Sequence, residues 1–498
     1  MSGLHQRNRP LAKIVSTLGP ASSSPAMIKR LLEAGVSIFR VNFSHGSFED
    51  HGKTVANIRQ IEASVGYPVA ILGDLPGPKI RVGEVPDAGF TVATGDLVCF
   101  DRDHDGPAAK KNEAYVFPTT YTPLGEDVDV GHRLLVADGL IRLLIIETSP
   151  ERVTCRVTAG GVISSHKGIN LPDTDLSVDS LGDRDRQCAA WAMHNGLDFV
   201  GMSFVRNADD VNRLRQLLKE EGQRCEPARE AMSIVSKIET KQAVEHFDEI
   251  LVATDAVMIA RGDLGVELDC RQVPVLQRQF LELAHGQGRP CIVATQMLES
   301  MIEHPTPTRA EASDVASAIG QLTDAVMLSG ETAVGKYPAL AVEQMRRITE
   351  TMEAFMATRP SQASPPRQLL ERKDTLVGLA HGVFTIVEDI HADLVAVWSE
   401  SGISAQSLSQ NDLSVPIIAM TSQEHVSRKM CLFRGVIPIC CAQPESVDDL
   451  VAMVDSIAQE HGWAIAGDRC VIMTGKPVGR SGKTNRLIVH TVGGDVTF

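Results

Sequence analysis

A surplus of basic residues is missing from this chain: 48 Lys and Arg stand against 63 Asp and Glu, a formal net charge of -15 at pH 7. Gripping a nucleic-acid backbone or an anionic bilayer takes a positive footprint, so neither nucleic acid nor membrane is an expected partner. Any anionic ligand must be held by a few local cations. Also absent is an apolar run of membrane-spanning length, and Met1 to Lys13 is polar, without the apolar stretch of a secretion signal. The expected location is the cytoplasm. The ten cysteines show no CxxC spacing and only Cys440 and Cys441 are adjacent, which argues against a zinc site or a disulfide scaffold and fits a reducing compartment. No internal repeat or low-complexity tract is present. What remains is ordinary globular composition, 498 residues with 43% hydrophobic and 22% charged, long enough for about three domains.

Eight short apolar, β-branched runs lie between Ala12 and Thr332: Lys13–Leu18, Ser37–Phe43, Val69–Leu72, Phe199–Phe204, Ser233–Ile238, Ala256–Ala260, Cys291–Ala294 and Ala325–Leu328. Most are followed by stretches with helical spacing, the pattern of βαβ units, and eight such units close a TIM barrel. The expected fold class is therefore α/β, a (β/α)8 barrel. The long gap between the third and fourth runs alternates like strands and is expected to be an inserted β-barrel lid domain, residues 83–171, within a barrel made of 1–82 and 172–357. Pro76, Gly77 and Pro78 on one side and Leu171 and Pro172 on the other predict a hinge. The helix Pro338–Met356 runs into a Pro, Ser and Gln linker, and residues 358–498 are expected to form a C-terminal α/β domain with strands at Leu394–Trp398, Ile417–Met420 and Cys470–Thr474.

In a TIM barrel the chemistry gathers at the C-terminal ends of the strands, and the unusual polar residues fall there. These ends carry Arg40, Asn42 and His45; Asp74; Lys237 and Glu239; Gly262 and Asp263; Thr295; and Ser329 with Glu331. Glu239 and Asp263, on neighbouring strands, are hard oxygen ligands suited to Mg²⁺, which takes one or two carboxylates plus substrate oxygens. Lys237 lies two residues before Glu239 and so points to the same side of a strand. An ammonium there suits a phosphoryl group in flight, whose charge is spread over three oxygens. The bland alternative makes Glu239 and Asp263 ordinary ion-pair partners of Arg261 or Lys237. Met297, Leu298 and Met301 sit at helical spacing and read as core. In the C-terminal region Ser399, Ser401, Gly402 and Ser404 follow a strand and open a helix, a place for an anion. Lys476, Arg480 and Lys483 lie on a glycine-rich loop that imitates a Walker A motif but has Pro477 where the first Gly must be, with a merely solvated loop as the lesser alternative.

AKIVSTLGPAS at 12–22, RVNFSHG at 40–46, SKIE at 236–239, ARGDLG at 260–265, and ATQMLESM at 294–301 continuing to PTRAE at 307–311 resemble the signature segments of pyruvate kinases, in order along nearly the whole chain. The resemblance implies a phosphotransferase moving a phosphoryl group from phosphoenolpyruvate to ADP, giving pyruvate and ATP in the last step of glycolysis. It implies Mg²⁺ or Mn²⁺ on Glu239 and Asp263, Lys237 on the transferring phosphoryl, Arg40 on the phosphate of phosphoenolpyruvate, and Thr295 beside the enolate. By the same resemblance the amides of Gly262 and Asp263 receive the substrate carboxylate, and Ser329 and Arg309 hold the water that protonates the enolpyruvate. Asn42, His45, Arg81 and Lys167 match positions that contact ADP when the inserted domain closes. An allosteric, phosphorylated effector at Ser399, Ser401, Gly402, Ser404, Lys476, Arg480 and Lys483, and a homotetramer, are implied as well.

The sequence departs from most members, which bind K⁺ through Asn, Ser, Asp and Thr and carry a Glu before the Ile-Arg of the third loop. Here the Thr is Leu75 and the Glu is Lys79. A fixed ammonium at Lys79 would take the place and charge of K⁺, so activity without K⁺ is expected; the alternative is a structural salt bridge from Lys79 to Asp74. Glu400 replaces a Lys common in relatives activated by fructose bisphosphate, which favours a sugar monophosphate or AMP as effector. Two rivals share features of this pattern: a phosphoenolpyruvate mutase or metal-dependent aldolase on the same barrel, and a catalytically silent metabolite sensor keeping only the C-terminal site. The lid and the ADP-type residues oppose the first, and intact Lys237, Glu239, Asp263 and Thr295 the second.

Overall fold

The computed structural model describes residues 10–86, 89–102, 104, 106–111, 113–358, 371, 373–475 and 484–494. Eight parallel strands close into a barrel in sequence order: β1 (Lys13–Thr17), β2 (Ile38–Asn42), β3 (Ala70–Asp74), β4 (Phe199–Met202), β5 (Ser233–Ile238), β6 (Ala256–Ala260), β7 (Cys291–Ala294) and β8 (Ala325–Leu328). Closure is made by β1 on β8, with Lys13 opposite Ala325 and Ser16 opposite Leu328. The strands read as near-continuous apolar runs because both faces are covered. One face meets the surrounding helices through residues such as Ile14, Val41 and Val257. The other fills the lumen with Val15, Ile38, Leu72, Phe199, Val235, Met258 and Met327, and this cluster continues into the C-terminal domain through Val395, Val397 and Ile417. The lumen is thus packed core, and only the rim at the strand ends is left for ligands. Local chemistry sets the helix ends: Ser47 caps Phe48–Val65 by accepting from Asp50 N, and left-handed Gly66 stops it.

The insertion between β3 and β4 has its own core of Val98, Phe100, Phe117, Leu134, Ile145 and Val153. Its ladders form a seven-stranded sheet and a separate two-stranded pairing of Gly161–Ile163 with Phe90–Val92, so among the described residues hydrogen bonding divides the expected β-barrel lid into two sheets. Its two connections touch each other: Arg81 bridges Gly168, and Ile169 N donates to Ile80 O. Gly77 on the entry strap has φ of 69°, and a Cβ there would come within 2.6 Å of the Phe204 ring and 2.8 Å of Ser203 Cβ. A side chain at that point is excluded both by backbone geometry and by space.

The C-terminal sheet runs Val436–Cys440, Ile417–Thr421, Leu394–Trp398, Arg469–Gly475, Thr484–Thr491, the first four parallel and the last antiparallel. Two of these strands, Val436–Cys440 and Thr484–Thr491, are not among the expected ones. The first is half covered, so its residues do not form the apolar run that marks a buried strand, and the second is an edge strand with mostly exposed or half-buried side chains. The helix Pro338–Ala357 follows β8, and the linker expected after it, residues 359–367, lies outside the described residues.

Candidate active site

Three strand ends bring their charges to one point. Lys237 Nζ lies 2.9 Å from Glu239 Oε1 and 3.3 Å from Asp74 Oδ1, and donates to Ser203 Oγ at 2.7 Å. The same-side argument from sequence holds, because Lys237 faces the rim from β5 and Glu239 follows directly on its end. Asp74 is also bound by Arg40, whose Nε donates to Oδ2 at 2.8 Å while Nη1 donates to Thr17 Oγ1 at 3.0 Å. Register explains the meeting: Asn42 pairs with Asp74 across β2 and β3, and Asp74 with Gly201 across β3 and β4. Burial by itself would push the Asp74 carboxyl up, but Lys237 and Arg40 hold it below the usual carboxylate range. Burial would pull Lys237 down, yet Asp74 and Glu239 outweigh it and keep the ammonium charged. Glu239 is raised by burial first and by the charge of Asp263, against the pull of Lys237.

Backbone strain marks the same rim. Phe204, Thr295 and Gln296 have φ of 53°, 67° and 53°, a region that costs non-glycine residues, β-branched Thr above all. Each is held by named bonds. Phe204 N donates to Glu239 Oε2 at 2.8 Å, and Arg261 Nη2 donates to the carbonyls of Thr295 and Gln296 at 2.8 and 3.3 Å. Arg261 pairs with Asp314 rather than with Glu239 or Asp263. Thr295 Oγ1 accepts from Gly262 N at 2.8 Å, which joins these two candidate residues directly but engages the amide proposed from sequence for a carboxylate. Asp263 sits in the first turn of Arg261–Glu267, half-buried.

Ser329 follows β8 with its hydroxyl buried and without a partner, while its N–H is held by Glu331, which also accepts from Leu298 N. Arg309 opens the helix Arg309–Gly320, exposed and with no bond to the cluster among the described residues. Asn42 accepts from Ser44 N in its own turn, and His45 is exposed beside it. Arg81 and Lys167 come together at the lid base: Arg81 Nη1 donates to His166 O, and Val82 N to Lys167 O at 2.8 Å. Lys79 lies against Gly168 on the exit strand, its Cε 2.9 Å from where a Cβ of Gly168 would stand. Asp74 is paired with Arg40 and Lys237, so the alternative of a Lys79 to Asp74 salt bridge is not formed.

Ser203, Phe204 and Glu331 were not assigned site roles from sequence. Their signal is weak, since one lies in a turn, one acts through its backbone, and one grips amides from another loop. In the C-terminal domain Ser399 is buried with its hydroxyl unpartnered, Gly402 takes φ of 80°, and Ser404 Oγ shares a hydrogen bond with Thr484 Oγ1 at 3.0 Å. Ser401 is half-buried, and Glu400 Oε1 accepts from Ser422 Oγ. Lys476, Arg480 and Lys483 lie outside the described residues.

The donor set fits a hard divalent cation. Among the described residues no group of three or more His, Cys, Asp or Glu stands as a metal cluster; the candidate pair is Glu239 and Asp263, with Glu239 raised first by burial and then by the charge of Asp263. Mg²⁺ keeps several waters or substrate oxygens and needs one or two such ligands. Comparison with known proteins shows the family. Residues 9–342 match the pyruvate kinase barrel domain family and residues 378–490 the pyruvate kinase alpha/beta domain family. A pyruvate kinase of Mycobacterium intracellulare is 37% identical over 97% of this chain and 98% of its own length, and one of Geobacillus stearothermophilus is 37% identical over 96% of this chain and 80% of its own. The crystal structure of a pyruvate kinase from Cryptosporidium parvum superposes with a TM-score of 0.87 at 30% identity, covering 98% of this chain and 96% of that one. With eight strands closed in order, charged groups gathered on one rim and relatives matched along their length, the chain belongs to the pyruvate kinase family, a family of phosphotransferases.

Proposed function

We propose that the protein transfers the phosphoryl group of phosphoenolpyruvate to ADP, forming pyruvate and ATP in the last step of glycolysis, in the cytoplasm. The observation that carries this reading is Lys237 Nζ at 2.9 Å from Glu239, with Asp74 and Arg40 completing the charge cluster. Glu239 and Asp263 hold Mg²⁺ or Mn²⁺, which when bound supplies positive charge to the phosphoryl oxygens. Lys237 and Arg40 face the same group as charge spreads over its oxygens, so catalysis is positioning and electrostatics. Thr295 lies by the enolate, and the substrate carboxylate takes the amide of Asp263 and displaces Thr295 from that of Gly262. The unpartnered hydroxyl of Ser329 suits a water that protonates the enolate, and Arg309 joins it. Asn42, His45, Arg81 and Lys167 contact ADP as the lid, residues 83–171, closes on the barrel of 1–82 and 172–357.

Activity does not require K⁺ in this reading: Leu75 offers no side-chain oxygen to a monovalent ion, and Lys79 places an ammonium on the same strap. The C-terminal domain, 358–498, takes a phosphorylated effector, a sugar monophosphate or AMP, at Ser399, Ser401, Gly402, Ser404 and the basic loop of Lys476, Arg480 and Lys483. The buried, unpartnered hydroxyl of Ser399 supports a polar ligand there. The subunit assembles as a homotetramer. The test is a coupled assay of ATP formation from phosphoenolpyruvate and ADP with Mg²⁺, repeated after chelation. Metal-dependent ATP formation is expected, and its absence in the folded protein would overturn the assignment.

A further inference from the structure

One residue of the rim has no assigned role and yet holds Lys237 directly. Ser203 follows β4 and is buried, and its hydroxyl has two partners: it accepts from Lys237 Nζ at 2.7 Å and donates to Leu75 O at 2.7 Å. A hydroxyl has a single proton. Because the Leu75 carbonyl takes it, a lone pair must face the ammonium, so the direction of the contact to Lys237 is fixed rather than averaged. The next residue grips the other half of the ion pair, for Phe204 N donates to Glu239 Oε2 at 2.8 Å from its left-handed backbone. One two-residue turn therefore holds both Lys237 and Glu239.

An ammonium has three N–H groups, and here they are shared among Glu239, Asp74 and Ser203. A cation competes with the ammonium for these two carboxylates, and a phosphoryl group competes with the carboxylates for the ammonium. Ser203 is the neutral partner, and its hold does not change with the charge around it. Leu75, whose carbonyl accepts from the Ser203 hydroxyl, donates its own N–H to Gly201 O at 2.9 Å and begins the strap to the lid. Two residues on, Gly77 packs against Ser203 and Phe204 so closely that no Cβ fits. We propose that Ser203 is a positioning residue for the phosphoryl transfer, holding the Lys237 ammonium at its working place between the carboxylates and tying it to the strap that leads into the lid. The inference rests on the reading of Lys237 as the group that faces the phosphoryl.

The test compares Ser203→Ala with Lys237→Met in the full-length protein, using two reactions. One is ATP formation, which moves a phosphoryl group. The other is deuterium uptake into the methyl group of pyruvate in D₂O with Mg²⁺, followed by proton NMR, which breaks and remakes a C–H bond through the enolate and moves no phosphoryl. For Ser203→Ala the expected result is a turnover lower by about tenfold or more, with KM for phosphoenolpyruvate and ADP and the deuterium uptake within about twofold of the parent. Retained uptake shows the site is folded. Parental turnover in Ser203→Ala beside a silent Lys237→Met overturns the proposal alone, and so does an equal loss of turnover and uptake, which is what a merely structural serine gives. Parental turnover in Lys237→Met overturns the reading of Lys237 beneath it.

Discussion

Lys237 shows how a buried cation is kept charged. Its side chain is 12% exposed, and only the pull of Asp74 and Glu239 outweighs the loss of water. Replacing it by Met removes the charge while keeping an unbranched chain, so Lys237→Met is expected to lose roughly 3 kcal/mol or more of transition-state stabilisation, about a hundredfold or more in kcat. Steady-state ATP formation measures this, and near-parental turnover would refute the role. Asp74 keeps Arg40 in that variant, which limits the destabilisation. Much of this scale was legible beforehand: Lys237 and Glu239 two residues apart on a strand had to share a side. What the chain order hides is Ser203 and Asp74, because they reach Lys237 across strand pairs and nothing in their local sequence says so.

At the scale of elements, the strap from β3 to the lid is the most constrained piece of backbone near the rim. A Cβ at Gly77 meets the Phe204 ring and Ser203 at well under contact distance, on a backbone with positive φ. Gly77→Ala is expected to cost about 1–3 kcal/mol in stability and to lower kcat, since the strained Phe204 that orients Glu239 must shift. Thermal unfolding and turnover measured together check it; an unchanged kcat would show that the strap is mechanically separate from the site. The same strap carries Leu75 and Lys79. Initial rates in K⁺-free buffer are expected to match those with K⁺, and a strong dependence on added K⁺ would refute the substitution of the ion by Lys79. The strap was recognisable from Pro76, Gly77 and Pro78 as a hinge, but the place of Lys79, against Gly168, depends on the pairing of two segments far apart in sequence.

For the whole molecule, the seam between barrel and C-terminal domain is built on buried polar groups. Asp324 accepts from Cys291 N and from Gln410 Nε2, both at 2.9 Å, and burial pushes its carboxyl up to about 6. Asp412, half-buried near Arg434, is likewise raised to about 6 by loss of water, while the same loss lowers His285 to about 4. Arg434 in turn is held by Glu353 at 2.9 Å. A carboxyl with a raised folded pKa contributes stability that is full below its unfolded pKa of 3.8 and lost as pH rises through about 6. His285 acts the other way, its contribution present above 6.5 and lost as pH falls toward 4. Asp324→Asn isolates one of these opposed effects, because Gln410 Oε1 is unpartnered and can accept from the new amide after a flip. From pH 4 to 7 the parent is expected to lose roughly 2 kcal/mol relative to Asp324→Asn, read as a difference in thermal midpoint at each pH. A constant difference would refute the assignment.

By itself the sequence determined the eight strand runs, the insertion after the third, the C-terminal α/β domain and the rim residues, because strand periodicity and strand-end position are local properties that survive without knowledge of neighbours. Only the tertiary structure decided which charges meet. Register across β2, β3, β4 and β5 sets Asp74, Arg40, Ser203 and Lys237 within bonding distance, and left-handed Phe204 and Thr295 are held by contacts from other strands. Such contacts join residues distant in the chain, and their energy depends on the burial that only the closed barrel creates.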